Sequence, residues 1–514
     1  MPGEQGNKER CMPAPGDIYV VHNERLQAFV AYQLTHQDDR EGGFAILTLD
    51  WTGPTLPDPA AVAAMQPARF DYLHQDNALD HLWVGRHVPR DFQYVGWRAP
   101  LVDSAPDSYG TWPDGSEVER QRHWNAQDAA AVQAFKTAAR APADHTVLLE
   151  RGQYPVRRSA TRLDGQAMNL APSLALFDAL PLLTRLDIAE PVPDLLPWLR
   201  TRPLIHSLDI SGQHTPALDL RGTGLLQLVI DVTGLRSLNL NAGLSRLTLQ
   251  GSIGPDLVIH GEDDGRWLTV ISSDASLPWS GLPQLGELQL REVREVDASR
   301  IAARFPHLRA LRIACAPCVL QGLQHLGELR QLHTLSASNV FPAEDAVFPA
   351  PECWPSLCRL WLHSLPAALG TAIRKAYKRE AAKGLDLDVG QLRKPEWRAA
   401  NLDNPFRDWE GSAHISTAQA KKAATLYRKA CTDALKLATG GGDAAELTAA
   451  LARIGRAYTE GFNALDRRSG FIETEEREQI YTAWMGNVDA VDARSEIALD
   501  REALRAAMNE VRTF

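Results

Sequence analysis

Four cysteines fall in two pairs, Cys315-Ala-Pro-Cys318 and Cys353 with Cys358, and four thiolates in two pairs can hold zinc at about 2.3 Å per sulfur. The gap between the pairs is long for a zinc ribbon, and free cysteine is among the residue types most often buried, so core thiols are the preferred reading. Cys431-Thr432-Asp433 sets a thiol two residues from a carboxylate. On a helix, however, Cys431 shares the apolar face of Tyr427 and Leu435 while Asp433 points elsewhere. Glu473-Thr-Glu475-Glu476-Arg-Glu478 and Glu262-Asp263-Asp264 offer carboxylates to a metal. Acidic residues at a helix start also complement its dipole, and a turn between Gly261 and Gly265 explains the second run as solvated charge. No Walker loop, G-x-S-x-G, H-E-x-x-H or dinucleotide fingerprint occurs. The expectation is no catalytic residue, no metal and no cofactor.

The elements that position these residues are set by a repeated pattern, L-x-x-L-x-L, over 176–366. It runs through Leu183-Thr-Arg-Leu186-Asp-Ile188, Ile205-His-Ser-Leu208-Asp-Ile210, Leu235-Arg-Ser-Leu238-Asn-Leu240 and Leu244-Ser-Arg-Leu247-Thr-Leu249. It returns at Leu285-Gly-Glu-Leu288-Gln-Leu290, Leu308-Arg-Ala-Leu311-Arg-Ile313, Leu332-His-Thr-Leu335 and Leu357-Cys-Arg-Leu360-Trp-Leu362. The tract resembles the leucine-rich-repeat family, which places one short strand per coil on a concave sheet. One coil cannot bury its leucines alone, so stacked coils share an interior.

Central residues Leu186, Leu208, Leu228, Leu247, Leu268, Leu288, Leu311, Leu335 and Leu360 lie roughly 19–25 residues apart and are assigned to the concave sheet. Intervening copies at Leu218, Leu238 and Leu257 become strands on the opposite face, and the last three coils have room for a helical turn. Several coils lack the Asn or Cys that such repeats usually carry after the strand. Alternation then turns outward Asp187, Asp209, Asp231, Arg246, Gln250, Trp267, Glu287, Gln289, Arg291, Arg312, Arg359, Trp361 and His363. Trp and Arg on such a surface are the residue types that anchor protein interfaces. The binding set is therefore Asp187, Asp209, Arg246, Trp267, Gln289, Arg291, Arg312, Arg359, Trp361 and His363.

Residues 13–102 read as short strands rich in β-branched and aromatic residues, Asp17–Val21, Leu26–Tyr32, Phe44–Leu49, Leu82–Val84 and Phe92–Trp97, and predict a small antiparallel barrel. The opening Pro15-Gly16-Asp17-Ile18-Tyr19-Val20-Val21, with Tyr94-Val-Gly-Trp97 before Pro100-Leu101, resembles a β-rich immunity-domain family of bacterial polymorphic-toxin systems. Residues 103–175 hold a linker with Pro106, Gly110, Pro113 and Gly115, a helix near Asn125–Arg140, and a cap for the repeats.

Residues 367–412 read as a helix, Ala367–Lys383, and a linker. At 413–514 a four-helix bundle is expected: Ser416 caps one helix, Gly440-Gly441-Gly442 ends it, and Asp443 with Glu446 starts the next. Apolar faces follow at Leu447, Leu451, Ile454, Tyr458, Phe462 and Leu465, at Ile480, Trp484 and Val488, and at Leu504, Met508 and Val511. The Cys431-x-Asp433 sequence after leucine-rich repeats is similar to the active site of bacterial leucine-rich-repeat ubiquitin ligases. Their catalytic domain is much longer than this one.

The expected fold is therefore α+β and multidomain: a leucine-rich-repeat solenoid between a small β-barrel-like domain and a helical bundle. A formal net charge of -10 argues against nucleic acid as a partner. No apolar stretch approaches a bilayer span, the start of the chain is polar, and six cysteines, including Cys11, form no evident disulfide framework; a cytoplasmic setting without a membrane partner follows. The resemblances imply an immunity protein that occludes a cognate protein toxin and is not an enzyme. The alternatives are an effector with a ligase-like helical domain and a plain interaction scaffold.

Overall fold

The protein is described by a computed structural model at residues 12–38, 42–149, 155–211, 215–343, 346–438, 443–495 and 497–514. Two compact units result, Met1–Leu392 and Arg393–Phe514. The triglycine expected to end a helix at 440–442 lies outside the described residues, as does Cys11.

The first unit opens with five antiparallel strands, β1 (Asp17–Asn23), β2 (Ala28–Gln37), β3 (Phe44–Gly53), β4 (His81–Val84) and β5 (Gln93–Trp97), ordered β4-β3-β2-β1-β5. Alternating side chains serve two cores. Tyr19, Val21, Tyr32 and Phe44 pack with Phe92 and Trp112 on one face. Ile18, Val20, Ala31 and Leu47 pack with Val62 and Met65 on the other. The expected barrel is not closed: among the described residues β4 and β5 are edges with no ladder between them. With both faces covered, the apolar surface is buried without closure. The expected linker is partly helical, Ser116–Asn125, and a second helix runs Ala129–Arg140.

Beyond it an 11-stranded sheet is parallel throughout, its strands following one another in chain order from Arg162–Asp164 to Asp386–Gly390. Its inward file is Leu163, Leu186, Leu208, Leu228, Leu247, Val270, Leu288, Leu311, Leu335, Leu360 and Leu387, each paired with the next. The sheet thus starts one coil earlier and ends one later than the pattern indicates. A second parallel sheet of four strands, Ala217–Asp219, Ser237–Asn239, Val258–His260 and Ser280–Gly281, backs the middle coils. Its paired residues are Leu218, Leu238 and Ile259, so Leu257 is displaced from the expected register.

The strand module lies along the edge of the sheet where its strands begin. Trp124 and Phe135 share a core with Leu182 and Leu204. Farther along, Glu24 accepts hydrogen bonds from Arg266 (2.9 Å) and pairs with Arg309 (2.7 Å), and Arg25 bridges Glu119 (2.9 Å) and Glu262 (4.0 Å). Arg90 reaches Glu380 at 3.2 Å. A Cβ at Gly384 would sit 3.0 Å from the Val88 carbonyl oxygen, so only glycine, held here at φ +92°, admits this approach.

The second unit packs four helices, Thr417–Leu437, Ala444–Asp466, Thr474–Ser495 and Arg501–Val511, around Leu451, Phe462, Trp484 and Val488. Ser416 forms a capping box with Gln419, and the Asp443 carboxylate accepts from the Glu446 amide.

Candidate functional site

Because each strand pairs in register with the next, side chains flanking the inward file line up in two outward rows. One runs Arg162, Arg185, Ser207, Gln227, Arg246, Thr269, Glu287, Ala310, Thr334, Arg359, Asp386. The other runs Asp164, Asp187, Asp209, Val229, Thr248, Ile271, Gln289, Arg312, Ser336, Trp361, Asp388, again by direct strand pairing. The start of the face sets Asp164, Asp187 and Asp209 beside Arg162 and Arg185, the middle is mostly small or neutral, and the end places Arg312, Arg359 and Trp361 among Glu287, Asp386 and Asp388.

Nine of the ten residues expected on this face are on its strands, and Trp267 is not. The paired residue in its coil is Val270, not Leu268, because the segment before the strand is one residue short. Leu268 donates its amide to the Gly265 carbonyl (3.0 Å), as Leu285 donates to Leu282 (3.1 Å) in the next coil, and so fills the entry position. Trp267 instead donates from Nε1 to Asp263 Oδ2 (2.9 Å) and stacks under Arg266. Gln289 lies on the face but is only 8% exposed, donating to Glu287 (2.8 Å) and accepting from Arg291 (3.0 Å).

The other members divide by their partners. Asp187 is held by Arg162 and Arg185, Arg312 donates to Glu287 (2.7 Å), and His363 meets Asp388 (3.0 Å). Arg359 lies 4.6 Å over the Trp361 ring and 3.6 Å from Asp386, which holds the indole plane at the surface. Among the described residues, Asp209 and Arg246 have no ion-pair partner. Burial and the adjacent Asp187 raise the Asp209 carboxyl above its ordinary range. An opposite charge brought by a partner would relieve that repulsion.

Cys315 and Cys318, expected as free core thiols, are instead joined in a disulfide, their Cα atoms 5.2 Å apart across Ala316-Pro317, and of the four thiols only Cys353 and Cys358 stay free. Among the described residues no group of three or more His, Cys, Asp or Glu is placed to hold an ion. Cys358 faces Asp91 and Arg90 of the strand module, and burial pushes its thiol up to about 12. Cys431 is half-buried beside Tyr427 rather than fully buried as expected, and burial raises its thiol too, which opposes formation of the nucleophilic thiolate. Asp433 lies 3.7 Å from Lys436.

The acidic runs are also structural. Glu262 accepts from the Gly243 amide (3.0 Å) and Asp263 holds Trp267. Glu476, expected to be solvated, is 6% exposed and accepts from His414 (3.0 Å) and from the Glu473 amide (3.1 Å), closing the start of its helix. What sequence reasoning missed is the docked edge itself. The residue before each strand, His206, Arg309, His333 or Cys358, belongs to neither the inward nor the outward pattern and carries the seam with the strand module.

No protein-family model matches the chain, and no curated protein matches it. Among solved structures it is similar to an internalin from Listeria monocytogenes, 14% identical, covering 47% of this chain and 90% of that chain at a TM-score of 0.20. The leucine-rich-repeat character rests on the strand register above, and a face of this kind suggests a protein-interaction role. Among the described residues no helix is long and apolar enough to cross a membrane.

Proposed function

We propose that the chain is an immunity protein of a bacterial toxin system that binds a cognate protein toxin and neutralises it by occlusion, without a catalytic step of its own and in the cytoplasm. The observation that carries the binding part is the in-register outward face of the parallel sheet. It offers an indole at Trp361 stacked beneath Arg359 and, among the described residues, two charges without an ion-pair partner, Asp209 and Arg246. Preorganisation of this kind lowers the entropy lost on binding. The toxin part rests on the resemblance of residues 13–102 to immunity domains. Arginine and tryptophan near the centre of an interface carry most of its energy, so the contact is assigned to Asp209, Arg246, Arg312, Arg359 and Trp361.

Co-expression with a candidate toxin encoded by a neighbouring gene tests the reading. Rescue of growth together with a complex that survives gel filtration supports it. Failure of both removes the immunity assignment and leaves an interaction protein with another partner.

A further inference from the structure

Along the seam between the strand module and the repeat edge, imidazoles recur. His123, on the helix Ser116–Asn125, has its Cε1 4.0 Å from the position a Gly243 side chain would take. His74 packs on Phe135, with ring centroids 5.4 Å apart, in the cluster that meets Leu182 and Leu204. Across from them is His206, on the repeat edge, whose amide donates to the Thr184 carbonyl (3.1 Å) and whose ring is within electrostatic reach of His74 and His123. His333 stands on the same edge near Arg309, Asp91 and Glu24. We propose that this seam is an acid-sensitive joint, closed while His123, His206 and His333 are neutral and opened when they gain protons.

The charge arrangement fixes the sign. Protonated His206 would face two further imidazoles, and protonated His333 would stand beside Arg309, a repulsion that Asp91 and Glu24 oppose but that, together with burial, still holds His333 low. Burial holds His123, His206 and His333 below their ordinary range, helped by Arg25, by His74 and by Arg309 respectively. A depressed histidine stabilises the closed joint fully above the ordinary value of 6.5 and loses that contribution as pH falls through the depressed one. Glu24 is lowered on balance, since Arg266 and Arg309 outweigh its burial, and its contribution is lost only below the ordinary 4.5. Glu119, raised by burial despite Arg25, acts in the opposite sense and closes the joint further as it gains a proton. Between the ordinary histidine and carboxylate values the histidines therefore open the joint against the opposing effect of Glu119.

Hydrogen exchange of the full chain, corrected for intrinsic rates, tests the joint at about pH 7.5 and about pH 5.5. At the lower pH, protection at 116–135 and 202–210 should fall by about tenfold or more, while the helices of the second unit keep theirs. The combined His123→Gln, His206→Gln and His333→Gln variant should stay protected at both pH values. Unchanged protection in the parent chain, or equal loss in that variant, overturns the proposal. If the combined variant is open already at neutral pH, single His206→Gln and His333→Gln variants decide: a lower opening midpoint supports the joint, and an unmoved one overturns it.

Discussion

Between Ala217 and Gly281 the convex side of the repeats is a second parallel sheet, whereas from Ala298 onward it is helical, with Ala298–Arg304, the short turns Leu323–Glu328 and Pro351–Cys353, and then Ala367–Ala381. The inward leucines are the same in both halves. What differs is the length of chain between them, about 20 residues per coil in the first half and nearer 25 in the second. A short coil can return only as extended backbone, which brings two sheets face to face with leucines between them. A longer coil admits a helical turn and holds its back farther off. An apolar void in the late coils, lined by Ile313, Leu320, Leu335, Val340, Phe348 and Ile373 among others, is consistent with that looser filling.

The largest effect should come from closing the smallest space in the tight half. Gly281 sits at φ +93°, and a Cβ there would lie 1.9 Å from the Ile259 carbonyl oxygen on the neighbouring back strand. Gly281→Ala should therefore cost about 3 kcal/mol or more in chemical denaturation, through backbone strain and a clash that no rotamer relieves. In the loose half, a Cβ at Gly327 would meet Cys353 Sγ at 3.2 Å and Pro349 Cβ at 3.3 Å, both side-chain atoms. Gly327→Ala should stay within about 1 kcal/mol of the parent. Equal costs at the two positions would erase the distinction between the halves.

Binding offers the next contrast. Trp361, on the face in the loose half, should lose about 2 kcal/mol of affinity on truncation to Ala, which is roughly 30-fold. Trp267, set before its strand in the tight half, should leave affinity unchanged. Calorimetric titration of both variants, with melting as the fold control, checks this pair. If Trp267→Ala is the one that weakens binding, the interface lies on the coil edge near Asp263 and not on the sheet.

The contrast also explains what could be read in advance. The leucine spine was legible because its period is imposed by burial, and five of the seven strand pairs from Leu186 to Leu335 join leucine to leucine in that period, the other two meeting at Val270. The Trp267 coil misled because a one-residue shortening moved Leu268 from the strand centre to its entry, and β-branched Val270 took the centre. The terminal strands were hidden for a related reason: Ala160 stands where a first leucine would, and Leu385, Leu387 and Val389 alternate without the full motif. The docking of the strand module had no local signal at all. Its Glu24 to Arg266 contact joins residues 242 apart, and neither residue type nor spacing announces a partner at that distance.

The smallest effect should fall outside both halves, in the helical unit, where Cys431 gives a floor against which the repeat variants can be judged. Its thiol is half-buried beside Tyr427 on the helix Thr417–Leu437, so truncation removes one sulfur from a site with solvent on one side and leaves no enclosed cavity. Alanine is also the best helix former, which offsets part of the lost contact. Cys431→Ala should therefore cost about 1 kcal/mol or less in chemical denaturation and leave partner affinity unchanged. The raised thiol predicts in addition that iodoacetamide labels Cys431 slowly near neutral pH, since the thiolate is the reacting species. Fast labelling, or loss of partner binding in the folded variant, would make this thiol a functional group and turn the comparison toward the helical unit.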